Sequence, residues 1–335
     1  MDRDVIILGG GMAGLSAAYF LSQHASVLLL ERETALGYHS SGRSAAQFTV
    51  GISAPTMRRL AQASRSFLEA PPDGFAAAPI LSPRGSMTVA PAGQEAKLHR
   101  QHAMLAEAGA GARLLDATEA LALFPALDPA QVAAGVFEAS AMDIDVDLLL
   151  QGFARGARAQ GAMIATDSRI EAIERRSGRW TVRTDAATFS APLLLNAAGA
   201  WVDQVADMAG RAPIGITPCR RTAFTFAPPP GMDTDRWPHV NSVAHDWYVK
   251  PETGRLMGSL SDQTPTEPCD AQPDDLDVAQ GIYNIEQATR FTIARPLSRW
   301  AGLRSFVADR SPVAGAGGRV TRASSGWPAR AAAAS

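Results

Sequence analysis

The sequence predicts an α/β fold in which a parallel-sheet unit of the βαβ type is interleaved with an antiparallel, β-rich unit. Three observations predict it. A short apolar run, Val5-Ile6-Ile7-Leu8, leads straight into Gly9-Gly10-Gly11 and then into a helical pattern. A second apolar run, Val27 to Leu30, stops at Glu31, about thirty residues from the start, the span of one βαβ unit. Between Ile214 and Gly258 the texture changes to alternating segments parted by prolines such as Pro228-Pro229-Pro230, as antiparallel strands require.

Each element follows from local pattern. Val5 to Leu8 is short, β-branched and apolar, so it reads as a strand buried on both faces. Met12 to Gln23 reads as a helix whose small residues face that strand, and Val27 to Leu30 as the second buried strand. Helices are expected over Ala61 to Leu68, Ala92 to Glu107 and Asp145 to Gln160, the last capped by Asp145 or Asp147. Ile164 to Val182 reads as a strand pair turning near Ser177-Gly178. Leu193-Leu194-Leu195 reads as another short buried strand, broken at Ala198-Gly199. The expected division is residues 1–80, 141–212 and 300–315 in a nucleotide-binding unit, 81–140 and 213–299 in a substrate unit, and an aberrant tail over 316–335.

Composition narrows the functional classes. A net charge of -2 gives no attraction to nucleic acid or an anionic membrane. Cys219 and Cys269 form no CxxC pair, which argues against a disulfide framework or a zinc site. His99 and His102 sit among Lys97, Arg100 and Gln101 on what reads as a solvated helix face, so no metal is expected. No run approaches the roughly 20 apolar residues of a membrane span. The first apolar run is too short for a signal peptide. The expected location is cytoplasmic.

Gly9, Gly11 and Gly14 satisfy GxGxxG, with Met12 and Ala13 inside the motif. The motif alone is weak in a chain with 29 glycines, but here a strand enters it and a helix leaves it. Gly9 permits the tight turn, Gly11 lets the backbone approach a pyrophosphate, and Gly14 lets helix and strand pack closely. The phosphates then face the helix N-terminus, where free N–H groups and the dipole favour an anion. Glu31 can accept hydrogen bonds from a ribose diol, and Arg32 follows it. Taken alone, the motif admits NAD as well as FAD. The run from Gly37 to Ala46 favours FAD: it is dense in small and hydroxyl residues that offer donors to a pyrophosphate and room for a flat ring. Ser41, Gly42, Arg43, Ser44, Ala46 and the adjacent Gln47 are its candidate contacts.

The segments GGGMAG, LERETALGYHSSGRSAAQ, SFLEAPPDGF, LLNAAGAWVD, RRTAFTFAPPPG and WAGLRSFVAD resemble FAD-dependent D-amino-acid oxidases and dehydrogenases, above all bacterial D-arginine dehydrogenases. The likeness runs from the first strand to about Gly315. It implies non-covalent FAD with its ring at the junction of the two units, and Ala198-Gly199 helping to close the flavin site. It also implies hydride transfer from a substrate α-carbon to flavin N5, giving an imino acid that hydrolyses to a 2-oxo acid. By the same resemblance Arg221 and Arg304 bind the substrate carboxylate, and Tyr248 closes the pocket. Each has a structural alternative: an ion pair for either arginine, a core position for the tyrosine. If Arg220 and Arg221 lie on a strand, one of them points away.

The sequence departs from D-arginine dehydrogenases at three places. Gln47 and Ile52 stand where those enzymes carry histidine and tyrosine, and Ser86 stands where they carry an acid. Without that charge a cationic side chain loses its partner, so an apolar or small polar amino acid is expected. Oxidation of N-methyl amino acids or other small amines, and a catalytically dead truncated family member, remain alternatives. The electron acceptor, whether oxygen, quinone or another, is left open.

The tail carries a further expectation. Family members continue past the SFVAD segment into a stretch of the type FFWLAGQGGYG. Here the matching stretch is Ser324-Ser325-Gly326-Trp327-Pro328-Ala329-Arg330-Ala331-Ala332. It can be encoded by bases that read FFWLAGQGG when the frame moves by one. A frame slip between about Gly315 and Ala323 is therefore expected, with loss of the final strand, turn and helix.

Overall fold

The computed structural model describes residues 2–316. The proposed frame slip and the tail lie almost wholly outside that range.

The chain opens with β1 (Val5–Leu8), α1 (Met12–Leu21) and β2 (Val27–Leu30). A short β3 (Gln47–Phe48) leads to α2 (Pro55–Glu69), whose first turn is set by the fixed φ of Pro55. Then come β4 (Leu81–Pro83), β5 (Ser86–Ala90), α3 (Glu95–Glu107) and β6 (Ala112–Asp116). α4 (Ala117–Leu123) starts at a reciprocal cap between Asp116 and Glu119. β7 (Ala134–Glu138) and β8 (Met142–Ile144) precede α5 (Val146–Ala159), capped by Asp145 as the sequence suggested. β9 (Met163–Ala165), β10 (Ile170–Arg176), β11 (Arg179–Thr184), β12 (Thr188–Ala191) and β13 (Leu193–Asn196) follow, then α6 (Val202–Met208). The last part holds β14 (Thr217–Phe226), β15 (His239–Ser242), β16 (Tyr248–Glu252), β17 (Arg255–Ser259), β18 (Thr264–Pro265), α7 (Asp275–Ala288) and β19 (Ser298–Phe306).

Four strands form a parallel sheet in the order β13-β1-β2-β9. Val5, Ile7, Val27 and Leu29 pack on one face against α1 and α5, and Ile6, Leu8, Leu28 and Leu30 pack on the other against β10–β12. Burial on both faces is why β1 and β2 read as unbroken apolar runs, each side chain worth ~1.5–3 kcal/mol before chain entropy is counted. α1 and α5 approach closely because Gly156 has no Cβ, which would lie 2.4 Å from the Tyr19 ring.

The larger sheet runs β18-β14-β17-β16-β15-β5-β7-β6, with β19 also on β14. It is antiparallel except where β15 runs parallel to β5. Phe224, Phe226, Leu256, Val249, Val240 and Met87 fill its core-side face together with Val278 and Ile285 of α7. The other face looks toward the parallel-sheet unit and is where the polar residues collect.

Two sequence expectations are corrected. The stretch from Ile164 splits: β9 joins the parallel sheet and the hairpin begins only at Ile170, because the parallel sheet takes the first apolar segment. Leu193 and Leu195 are not buried; they are 61% and 36% exposed, because β13 pairs only with β1 among the described residues and so lies at the edge of the sheet. Residues 298–306 pair along their whole length with β14.

Candidate active site

The glycine turn after β1 forms a cradle that side chains would fill. A Cβ on Gly14 would lie 1.9 Å from the Gly9 carbonyl oxygen, and one on Gly9 would lie 2.4 Å from that of Ala197. Gly9 also has φ +111, a conformation L side chains rarely adopt. Gly11 faces only Ser41 Oγ, at 3.3 Å from an added Cβ, so the backbone there is open to close approach.

A cleft of about 240 Å³ continues from this turn, lined by Gly9, Gly11, Glu31, Arg32, Ser41 and Ala198 among others. Glu31 already accepts from Gly10 N at 2.6 Å and Glu33 N at 2.8 Å. A carboxylate has about four lone-pair sites, so acceptor capacity remains for a ribose diol. Arg32 reaches Glu33 and lies 4.8 Å from the Trp201 ring centroid, which also contacts His39 at 4.5 Å. Trp201 and His39 thus wall the cleft together with Gly199, whose φ is +55. Sequence reasoning did not single out Trp201; its place just after the strand-breaking Ala198-Gly199 was the available signal. The cradle and the cleft fit an adenine dinucleotide.

The segment after the cleft is stitched down by its own side chains. Ser41 Oγ accepts from Met12 N at 3.0 Å, tying the segment to the start of α1. The Arg43 guanidinium is committed to Ala271 O, Ala301 O and Asp270, so what Arg43 can offer a cofactor is its main chain. Gly42 donates to Gly37 O at 2.8 Å. Ala46 adopts φ +54 and is held by Ser44 Oγ, which accepts its N–H, and by Ile144 N, which donates to its carbonyl. Gln47 lies on β3 opposite Asp143, and its Nε2 is buried without a partner. A second cleft of about 650 Å³ takes in Met12, Ser41, Ser44, Ala46, Gln47 and Ile52 and runs beneath α2.

Strand register assembles a second group of candidate residues. Cys219 pairs with Arg304 and Arg221 with Gly302, so the two arginines are diagonal neighbours on one face of β14 and β19. The alternation expected of Arg220 and Arg221 holds: Arg220 turns to Asp277 and Asp274, while Arg221 Nε donates to Asp262 O at 2.6 Å. Among the described residues neither Arg221 nor Arg304 forms an ion pair. Arg304, largely buried, has its pKa lowered to about 10 by desolvation and then by Arg221, and so remains a cation at neutral pH. Tyr248 pairs with Ser259 across β16 and β17 and shares that face; Trp247 turns into the core behind it. Burial pushes the Tyr248 phenol up, against the pull of Ser259, Arg221 and Arg304, so it stays protonated and can donate. Ser86 pairs with the buried Glu138, whose carboxylate accepts from Thr49 Oγ1, Val50 N and Ser140 Oγ.

Known proteins match this architecture. Residues 4–329 match the family described as FAD dependent oxidoreductase (DAO). The sarcosine oxidase subunit beta of Rhizobium meliloti (strain 1021) is 30% identical over 224 residues, covering 63% of this chain and 53% of that protein. Human mitochondrial dimethylglycine dehydrogenase is 27% identical over 219 residues, 62% of this chain and 25% of its own length. The match therefore spans about half or less of these curated relatives. Among solved structures, glycine oxidase from Geobacillus kaustophilus superposes with a TM-score of 0.79 at 23% identity, covering 93% of this chain and 85% of that one. The L-α-glycerophosphate oxidase of Mycoplasma pneumoniae with FAD bound gives 0.81 at 21%, covering 92% and 84%. The βαβ cradle, its cleft and a family match over nearly the whole sequence lead to one conclusion: the chain belongs to the FAD-dependent oxidoreductases of the DAO family, and its cofactor is FAD.

Proposed function

We propose that this protein oxidises the amine of a small amino acid, with Arg221 and Arg304 gripping the substrate carboxylate and Tyr248 closing the pocket. The carrying observation is the pair of guanidiniums on one sheet face, neither in an ion pair among the described residues, beside a protonated buried phenol. Two half-buried cations side by side repel each other, and a bound carboxylate relieves that cost through charge-assisted hydrogen bonds. FAD, when bound, supplies the hydride acceptor. The same two positive charges lower the pKa of a nearby substrate ammonium, which favours the unprotonated amine that oxidation needs. In this reading Gly9, Gly11, Met12, Ala13 and Gly14 hold the pyrophosphate, and Glu31 and Arg32 the adenosine. Ser41 to Ser44, Ala46, Gln47, Ala198 and Gly199 line the path toward the ring.

The segments that resemble D-arginine dehydrogenases support a D-amino acid as substrate, and Ser86 argues against arginine itself. Sarcosine, dimethylglycine and glycine in the names of the matched proteins support a second reading, an N-methylated or unsubstituted amino acid. The frame slip is retained as a proposal, tested by sequencing the gene.

The deciding experiment is anaerobic reduction of bound flavin by D-amino acids, glycine and N-methyl amino acids, using this chain and a frame-restored version. Bleaching by D-amino acids and not by sarcosine supports the first reading, and the reverse supports the second. Arg304→Leu is expected to lower kcat/KM about ten- to hundred-fold, the worth of a charged hydrogen bond. An unchanged value overturns the carboxylate assignment.

A further inference from the structure

Among the described residues, Gln47 Nε2 and His239 Nδ1 are buried without hydrogen-bond partners. Native proteins rarely leave such atoms orphaned, so each calls for an explanation. His239 is 7% exposed and lies on β15, on the same sheet face as Tyr248, Arg221 and Arg304. Its ring stacks on Tyr248 at 5.1 Å between centroids, 28° apart. The β15–β16 register, continued by one residue, sets it beside Lys250, which is 3% exposed and bonds Asp143 and Ala45 O. Gln47 faces the same Asp143 from β3. The two orphans therefore flank the bonded Lys250–Asp143 pair, His239 beside the lysine and Gln47 beside the carboxylate, with His239 on the sheet face of the proposed carboxylate grip.

We propose that His239, with Gln47 opposite, forms a hydrogen-bonding subsite selecting a substrate whose side chain ends in a neutral polar group, a hydroxyl or carboxamide. The inference rests on the amino-acid reading above and names its side-chain class. Each alternative meets a physical obstacle. A cationic side chain would sit by the Lys250 ammonium and the two arginines. An anionic one would compete with Asp143 and Glu252 for Lys250 and Arg84, which those carboxylates already hold, while the two arginines take the α-carboxylate; His239 adds no cation, its pKa being lowered to about 3 by burial and Lys250. An apolar one would leave both orphans unsatisfied, at a cost of about 1–3 kcal/mol for each group. A neutral imidazole offers one donor and one acceptor nitrogen, and a carboxamide or hydroxyl can complement either.

The test uses the full chain loaded with FAD and two unreactive carboxylates of equal shape, malonamate and isovalerate, titrated by the flavin difference spectrum. Malonamate is expected to bind at least about ten-fold tighter, the lower range of an unsatisfied buried group. His239→Met should bring the two affinities together, and His239→Gln should keep part of the preference. Equal affinities in the unaltered protein overturn the subsite, a result that needs no variant to fold. So does a preference that survives His239→Met. Parallel flavin reduction by serine and 2-aminobutyrate, in both enantiomers, separates the two proposals. Reduction by both without preference removes the subsite and leaves the amine reaction. A malonamate preference with no reduction by any amino acid or N-methyl amino acid keeps the subsite and removes the reaction.

Discussion

His239 does not titrate where histidines ordinarily do. Its folded pKa is lowered from 6.5 to about 3, chiefly by burial. Above the unfolded value both states are neutral and pH has no effect through this group. Below it the unfolded chain binds a proton that the folded chain refuses, so stability falls as pH drops from 6.5 toward 3. Each pH unit in that window costs about 1.4 kcal/mol. Thermal unfolding at pH 7.5 and pH 5 should show this loss, and His239→Gln should flatten the difference; equal slopes would refute the assignment. Single residues were unevenly legible in the sequence. The opposite facing of Arg220 and Arg221 follows from strand alternation alone. His239 could not be found that way, because its meeting with Tyr248 and Lys250 depends on β15 lying between β16 and β5.

At the level of elements, the glycine turn was readable because its constraint is local: β1, the turn and α1 are adjacent in sequence. Gly14→Ala forces a Cβ to within 1.9 Å of the Gly9 carbonyl oxygen, so α1 must move off β1. The expected result is loss of the bound flavin absorbance with a lowered melting temperature; retained flavin would contradict it. The segment around Ala46 was less readable, because what holds it comes from distant strands. Ala46 at φ +54 carries strain of ~1–2 kcal/mol. Lys250 helps pin that strained turn by donating to Ala45 O and pairing with Asp143, which Arg84 also holds. Lys250→Met breaks a buried pair and is expected to cost about 3–5 kcal/mol, read by thermal unfolding. β13 misled the reading for a related reason: three leucines suggest burial, but pattern does not tell a central strand from an edge.

At the scale of the whole molecule, the parallel sheet ends at β13 with Leu193 and Leu195 outward and one pairing partner among the described strands. An apolar sheet edge recruits other chains. Leu193→Lys with Leu195→Lys should reduce light scattering of the purified chain on warming, and unchanged scattering would count against the edge as the cause. The sheet has a second consequence, which concerns time. β1 and β2 pair with each other, but Val5 also pairs with Leu193 and Leu28 with Met163, so their outer neighbours arrive only once about half of the polypeptide or more has been made. At about 5–20 residues per second, the wait between β2 and β13 lasts on the order of 10–30 seconds. Throughout that interval the β1-α1-β2 unit lacks one or both of its outer strands, and chaperone dependence during synthesis should exceed anything its finished stability would suggest.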